Sequence, residues 1–260
     1  MTKESNMKST IKAFKVLETL CLQRAGKAST LSEKLNINKS SVHRLLNVLM
    51  ELGYVQKGQE PSVYQPTIKV YQLGVAVKNQ IGLMGIVRPY MVKLSNETGE
   101  VVNLATYLNG WMAVVERIQN TINQRAQIIV DGQLPAYCTA FGKVFLASFS
   151  EEQFEDYCSH AEFLRYTDNT PVTPDALRAQ FPGIRKTWVA IDDREFDSNV
   201  RCAASALINE SGQLAAAISI SGMAMRINDD LYKKYQAMIK DTAVNISLEL
   251  GWDGKTTPRQ

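Results

Sequence analysis

The sequence predicts an α+β protein in two parts: a winged helix-turn-helix, then, after a linker helix, a larger domain that mixes helices with a mostly antiparallel sheet. Three observations carry this. Apolar residues recur at helical spacing through the first part, with one short extended pair near residue 60. From residue 101 the apolar period shortens to that of strands, without a repeating βαβ rhythm. Charge divides at the same place: residues 1–80 hold twelve Lys or Arg against five Glu and no Asp, a net +7, which leaves −4 for the rest of a chain of net charge +3.

Ile11, Phe14, Leu17, Leu20 and Cys21 mark one face of a first helix. Thr30 and Glu33 form a T-x-x-E pattern, which predicts a capping box at the start of a second helix. Leu31 and Leu35 face inward from it, with Ile37 just beyond. Residues 36–38 make a tight turn, and Asn38 is placed to cap a third helix whose apolar stripe is Val42, Leu45, Leu46 and Leu49. Gly53 ends that helix. Strands at 54–57 and 63–65 flank the turn-forming GQEPS loop. Residues 1–66 thus read as the winged domain. Residues 67–86 read as a linker helix (Ile68, Val70, Tyr71, Val75), loosened by Gly82 and Gly85.

A helix over 87–97 opens the second domain, 87–252. Strands at 101–107 and 111–118 surround Asn109-Gly110, a hairpin signal, and a third strand is expected at 126–130. A helix starts near residue 140, with helical pattern on to 186. Further strands follow at 189–191, 201–208 and 214–221, then a long helix over 229–250. Residues 253–260 read as a disordered tail.

The polar face of the third helix carries Lys39, Ser40, Ser41, His43, Arg44 and Asn47. Small hydroxyls and a free helix N-terminus favour phosphate, and Arg44 or His43 has the reach for a guanine edge. Ser40 and Ser41 suit phosphates, which set register. With Thr30 and Lys57 these residues form the predicted contact set for double-stranded operator DNA.

Other function classes find little purchase. No apolar run approaches the ~18 residues of a membrane helix, and the polar start MTKESNMKST shows no secretory signal. Four scattered cysteines (Cys21, Cys138, Cys158, Cys202) suggest no disulfide framework and a cytoplasmic location. A nucleophilic thiol needs a base, yet the histidines are His43 and His160 alone. Cys158 and His160 are too sparse for zinc. Neither a P-loop nor G-x-G-x-x-G is present, so no enzyme, metal or cofactor is expected.

The stretches LSEKLNINKSSVHRLLNVLMELGYV, YQPTIKVYQLG, LPAYCTAFGKVFLAS, VAIDD, RCAASALINESG and AAAISISG occur in this order. With them the sequence resembles the IclR family of bacterial transcriptional regulators from about residue 11 to 252. The resemblance implies a GAF/PAS-like effector-binding domain, homodimers or dimers of dimers, and control of operons for breakdown of small organic acids, sugar acids or aromatics. It also implies an effector pocket at Leu134, Ala140, Phe141, Asp192, Cys202, Ser219 and Ser221. Residue chemistry points the same way. Ser219 and Ser221 leave one strand on the same face, opposite Ile218 and Ile220. Cys202 lies on the preceding strand, with Arg201 turned the other way. Thr139 is placed to cap the helix whose Ala140 and Phe141 amides suit a carboxylate, and Asp192 suits a ligand hydroxyl. The expected effector is a small hydroxylated carboxylate. SNVRC and CAAS lack the Gly and Pro that family members commonly carry there, and Phe141 stands where a small residue is common. The alternative reading is a thiol-based redox sensor using Cys202 or Cys138.

Overall fold

A buried stripe on the third helix organises the first part of the chain. In a computed structural model that describes residues 3–60, 62–80, 83–119 and 133–255, the chain divides into two compact units, Met1–Gly82 and Leu83–Gln260. The first unit runs α1 (Lys3–Gln23), β1 (Gly26–Lys27), α2 (Ala28–Leu35), α3 (Lys39–Glu51), β2 (Val55–Lys57), β3 (Val63–Pro66) and α4 (Ile68–Gln80). Val42, Leu45, Leu46 and Leu49 of α3 are buried against Val16 and Leu20 of α1, Leu31 of α2, and Val55 and Tyr64 of the sheet. On α1 the buried positions are Val16 and Leu20, whereas Ile11 and Phe14, expected inside, are 53% and 61% exposed.

The helix starts differ from expectation: no side chain caps α2, α3 or the later helix that begins at Ala140. Thr30 lies inside α2, which begins at Ala28 directly after Lys27 and has no side-chain cap. The expected capping box is absent because β1 supplies the start: Gly26 and Lys27 pair with Tyr64 and Val63 of β3. The turn after α2 rests on Asn36 in the left-handed region (φ 50°). There the Ile37 amide donates to Ser32 O, and the Ser32 hydroxyl donates to Ile37 O. Asn38 holds the N-cap position of α3 without a side-chain bond. Gly53 (φ +76°) closes α3. Its amide donates to Met50 O and that of Tyr54 to Leu49 O, the paired bonds of a Schellman ending. The Thr67 hydroxyl and the Lys69 ammonium then donate to Gly53 O and Leu52 O, at 2.6 and 2.7 Å. β2 and β3 form the wing, in a three-stranded sheet of order β1-β3-β2.

The second unit opens with α5 (Leu83–Thr98), which starts earlier than expected and contains Gly85, so that glycine does not loosen the chain. Gly82 and the strand expected at 126–130 lie outside the described residues, as does 256–260 of the tail. β4 (Val101–Leu108), β5 (Trp111–Ile118), β6 (Gln133–Pro135), α6 (Ala140–Ser148), α7 (Glu151–His160), α8 (Pro174–Arg178), α9 (Phe181–Thr187), β7 (Val189–Asp193), β8 (Val200–Ile208), β9 (Leu214–Met223) and α10 (Asp229–Glu249) follow. The six strands form one antiparallel sheet of order β6-β5-β4-β9-β8-β7. Asn109 and Gly110 turn the β4–β5 hairpin with φ of 48° and 90°, a primed turn matched to strand twist.

Strand alternation sorts side chains onto two faces. Ala216, Ile218 and Ile220 of β9 pack against Val87, Met91 and Leu94 of α5 and Ile239 and Ile246 of α10. Ala217 of β9 and Ala204 of β8 face the layer of α6, α7 and α9, with Phe145, Phe154 and Phe181. The seat of α6 is tight. A methyl group at Gly142 would run into the Ala136 backbone and the Thr139 hydroxyl. Gly142→Ala is therefore expected to destabilise the second unit by about 1–3 kcal/mol. Thermal denaturation checks this, and an unchanged midpoint would show that α6 can shift freely.

Candidate functional sites: a basic helix and a polar strip on the sheet

Burial of its apolar stripe turns the other side of α3 outward. Lys39, Ser40, His43, Arg44 and Asn47 are exposed and Ser41 is half-buried. Thr30 on α2 and Lys57 on β2 are exposed as well. No side chain caps the first turn of α3, so that turn carries amides oriented for an anion along with Lys39. His43 is tethered: its Nδ1 lies 3.5 Å from the Tyr64 hydroxyl, with the rings edge to face. That contact links α3 to the wing strand β3.

The second candidate site lies on the sheet face covered by α6. Register aligns Arg117 of β5 with Asn103 of β4, and Asn103 with Ser219 of β9. One step along, Ser221 aligns with Cys202 of β8, and Cys202 with Asp192 of β7. The structure thus brings Asp192, Cys202, Ser219 and Ser221 together. Ala140 and Phe141 sit at the buried start of α6 over the same core. Leu134 lies on β6, three strands from Ser219 in the sheet order, and packs in the same core as Ala140 and Phe141. Thr139 holds the N-cap position, but its hydroxyl donates to Pro135 O at 2.9 Å, and no side chain caps the α6 amides.

Two residues outside the expected set govern the polarity of this strip. Arg117 Nε donates to Asn103 Oδ1 at 2.9 Å. Arginine has donors only, so the amide oxygen of Asn103 must face it. The amide nitrogen then faces the serines, 3.4 Å from Ser219 Oγ and 3.2 Å from Ser221 Oγ. Each serine oxygen accepts, so its own proton turns away from Asn103; that of Ser221 faces the Cys202 thiol, to which it is hydrogen-bonded. The sequence does carry a signal for Asn103: it is a polar residue within VVNLATY, and it is buried in β4.

Behind the strip sits a buried ion pair. The Lys143 ammonium of α6 lies 2.5 and 2.6 Å from the Glu195 carboxylate and donates to Gln180 Oε1 at 2.9 Å. The Glu195 amide donates to Asp192 Oδ1 at 2.7 Å. Burial pushes the Asp192 carboxyl up to about 7; its bond from Glu195 N–H and the Lys143 charge resist this, while the Glu195 charge adds to it. Burial likewise pushes the Cys138 and Cys202 thiols up, and the charge of Asp192 reinforces the shift in both. Redox-sensing thiols need the opposite, an accessible and stabilised thiolate. These surroundings give the redox reading no support. All four cysteines are free. Among the described residues no cluster of His, Cys, Asp or Glu is arranged to hold a metal, and no helix is long and apolar enough to cross a membrane.

Comparison with known proteins identifies the two domains. Residues 9–58 match the IclR helix-turn-helix domain and residues 75–248 match the domain described as bacterial transcriptional regulator IclR C-terminal. The chain is 29% identical over 247 residues to the HTH-type transcriptional regulator KdgR of Dickeya chrysanthemi, covering 95% of this chain and 81% of that protein. It is 29% identical over 248 residues to the transcriptional repressor IclR of Escherichia coli, covering 94% and 90%. An IclR homologue from Microbacterium hydrocarbonoxydans, solved in complex with 4-hydroxybenzoate, shares the fold with a TM-score of 0.80 at 20% identity, over 93% of this chain and 98% of that one. With a helix-turn-helix ahead of a regulator domain that spans most of its length, the chain belongs to the IclR family of bacterial transcriptional regulators, DNA-binding proteins rather than enzymes.

Proposed function

We propose that this protein is a cytoplasmic, homodimeric regulator of a catabolic operon. In this reading it contacts double-stranded operator DNA through α3 and the wing, and it answers to a small hydroxylated carboxylate on the strip beneath α6. The observation that carries the ligand class is the donor-only polarity of the strip. Arg117 fixes Asn103, and Asn103 turns both serine protons away from itself, that of Ser221 toward Cys202 and that of Ser219 toward the space beneath α6. The uncapped amides of α6 add further donors on the same face. A carboxylate or carbonyl oxygen satisfies all of them. Asp192 is the one acceptor, which suits a hydroxyl or, when protonated, a second ligand oxygen. The Microbacterium homologue's 4-hydroxybenzoate is a hydroxylated carboxylate of this class. In this reading the winged domain spans 1–66, the linker helix 67–86 and the effector-binding domain 87–252. Exposed Ile11, Phe14, Ile68, Tyr71 and Leu73 leave apolar surface on α1 and α4, which supports self-association through the first unit.

On the DNA side, Arg44→Ala is expected to lower discrimination between operator and random duplex, at a cost of about 1–3 kcal/mol for a lost base contact. Lys39→Ala should weaken binding to both and reduce the salt slope by about 1. Fluorescence anisotropy across a salt series measures both. Equal loss on both duplexes for Arg44→Ala would remove it from base recognition.

On the ligand side, Asn103→Asp keeps the shape but replaces the donor group with acceptors. The serine protons then turn toward residue 103, and affinity for pyruvate or 4-hydroxybenzoate should fall by roughly tenfold or more. Calorimetric titration with both acids is the check, and unchanged affinity would disconnect Asn103 from ligand polarity.

Protonation of Asp192 adds a pH dependence. Below its shifted value of about 7 the group is neutral and compatible with an anion. Above it, the carboxylate repels one, beside Glu195 and with Lys143 already paired. Carboxylate affinity should therefore drop about tenfold between about pH 6 and about pH 8, with the curve flattened in Asp192→Asn. The same raised value means that Asp192 contributes stability at acid pH that is lost as pH rises through about 7. A flat affinity profile in the unaltered protein would place the ligand away from Asp192.

A further inference from the structure

A concave feature lies at the hairpin end of the same unit, away from the strip. A cleft of about 800 Å³ opens between the β4–β5 turn, the C-terminal end of α7 and the loop after it. Small-molecule pockets commonly span about 300–1,000 Å³ and hold mostly apolar walls with a few polar groups. Aromatic rings form much of these walls: Tyr107, Trp111, Tyr157 and Tyr166 all line the cleft. Trp111 and Tyr166 are each 43% exposed, so their rings are open to an occupant. Tyr107 is braced from behind, stacked on Phe145 and edge-on to Phe149. The walls are therefore preformed rather than loose.

Charge selects the occupant. The lining includes Asp156 and Glu162, with His160 as the one basic side chain and neither Lys nor Arg. His160 Nδ1 lies 2.8 Å from Asp156 O and 3.7 Å from its Oδ1, which leaves Glu162 and the second Asp156 oxygen to face an occupant. Arg165, next to the lining residue Leu164, turns its guanidinium toward Asp168 O. The field of Asp156 reaches the wall, where it adds to the burial that pushes the Tyr107 hydroxyl up. An anion is thus disfavoured here, the reverse of the serine strip. Aromatic faces carry negative quadrupoles that attract cations, and rings with nearby carboxylates are the recurring means of holding quaternary ammonium groups. Tyr107 lies four residues along β4 from Asn103, about 13 Å at strand rise, so the cleft and the strip are separate places on one sheet.

We propose that this cleft is a second small-molecule site, selective for an organic cation such as an alkylated ammonium bearing an apolar group. The Trp111 and Tyr166 rings contact the cation and its apolar part, and Asp156 and Glu162 supply the counter-charge. This site is independent of the carboxylate reading, and neither depends on the other.

The test uses the full chain and benzyltrimethylammonium chloride, followed by tryptophan fluorescence and by saturation-transfer NMR at constant chloride. Saturable binding is expected, with benzoate and benzyl alcohol at least about tenfold weaker. Asp156→Asn with Glu162→Gln should weaken the ammonium about fivefold or more while leaving benzyl alcohol unchanged. Trp111→Ala should weaken it about tenfold, with Tyr166→Ala as the second variant if the first does not fold. Absence of saturable binding, benzoate binding as tightly as the ammonium, or affinity unchanged in these variants overturns the proposal. A change of sedimenting mass in Trp111→Ala without ammonium binding overturns it too, and assigns the face to contact between copies of this chain.

Discussion

Everything at the candidate ligand face depends on how α6 is held against the sheet, and a buried lysine does much of the holding. The side chain of Lys143 is fully inaccessible, and its partner Glu195 is nearly so. A charge in that position is tolerated only when paired and hydrogen-bonded. Removing either partner alone typically costs about 3–5 kcal/mol, because the other is left charged and dry. The pair therefore ties α6 to the segment that leaves β7. Through the Glu195 amide that segment also fixes the Asp192 carboxylate. Gly142, one residue earlier, lets the helix backbone close on Ala136. Position comes from the missing side chain and the paired charge together.

This seat gives the sheet face its chemistry. A helix start without a side-chain cap, pressed on a strip of hydroxyls, is costly unless something accepts its protons. The strip itself does not. Asn103 spends its acceptor on Arg117 and presents its donors to the serines. Polarity thus propagates from one guanidinium through three strands: the amide that accepts from Arg117 donates by its nitrogen, and each hydroxyl that accepts from it turns its own proton elsewhere. Asp192 stands apart as a group close to its titration midpoint near neutral pH. It adds a tunable member to an otherwise fixed array.

Much of this was legible in the sequence, and the misses have physical causes. The α3 stripe, the turn at Asn36, the Schellman glycine and the Asn109-Gly110 hairpin are local signals, and each formed where its residues require. The capping box at Thr30 did not form, because a two-residue strand from β1 starts α2 earlier, and pairing with β3 is not a local property. Ile11 and Phe14 follow the helical period yet stay exposed in the single chain, since period alone does not say which apolar face a protein buries on itself. In the candidate ligand face, strand alternation and family likeness pointed to Ser219, Ser221, Cys202 and Asp192, which the register brings together. Neither pointed to Arg117, Asn103 or Lys143. Their importance comes from cross-strand register and from a partner 52 residues away, which no spacing rule announces. Leu134 came from likeness alone; it lies on β6, in the core that holds Ala140 and Phe141.

The connection from β6 to α6 borders both candidate ligand regions. Pro135 and Tyr137 line the aromatic cleft. Cys138, the next residue, lies within the field of Asp192, Glu195 and Lys143. Thr139 O accepts the Lys143 amide, and the Thr139 hydroxyl reaches back to Pro135 O. The same few residues therefore separate a region rich in carboxylates and rings from one rich in donors. A ligand that moves Tyr137, whose hydroxyl donates to Leu164 O at 2.7 Å, must either strain that connection or shift α6. The close approach at Gly142 resists the second option. Any influence between the two regions would then take the form of an energetic bias on α6 rather than a free slide, and thermodynamic linkage makes such a bias equal in both directions.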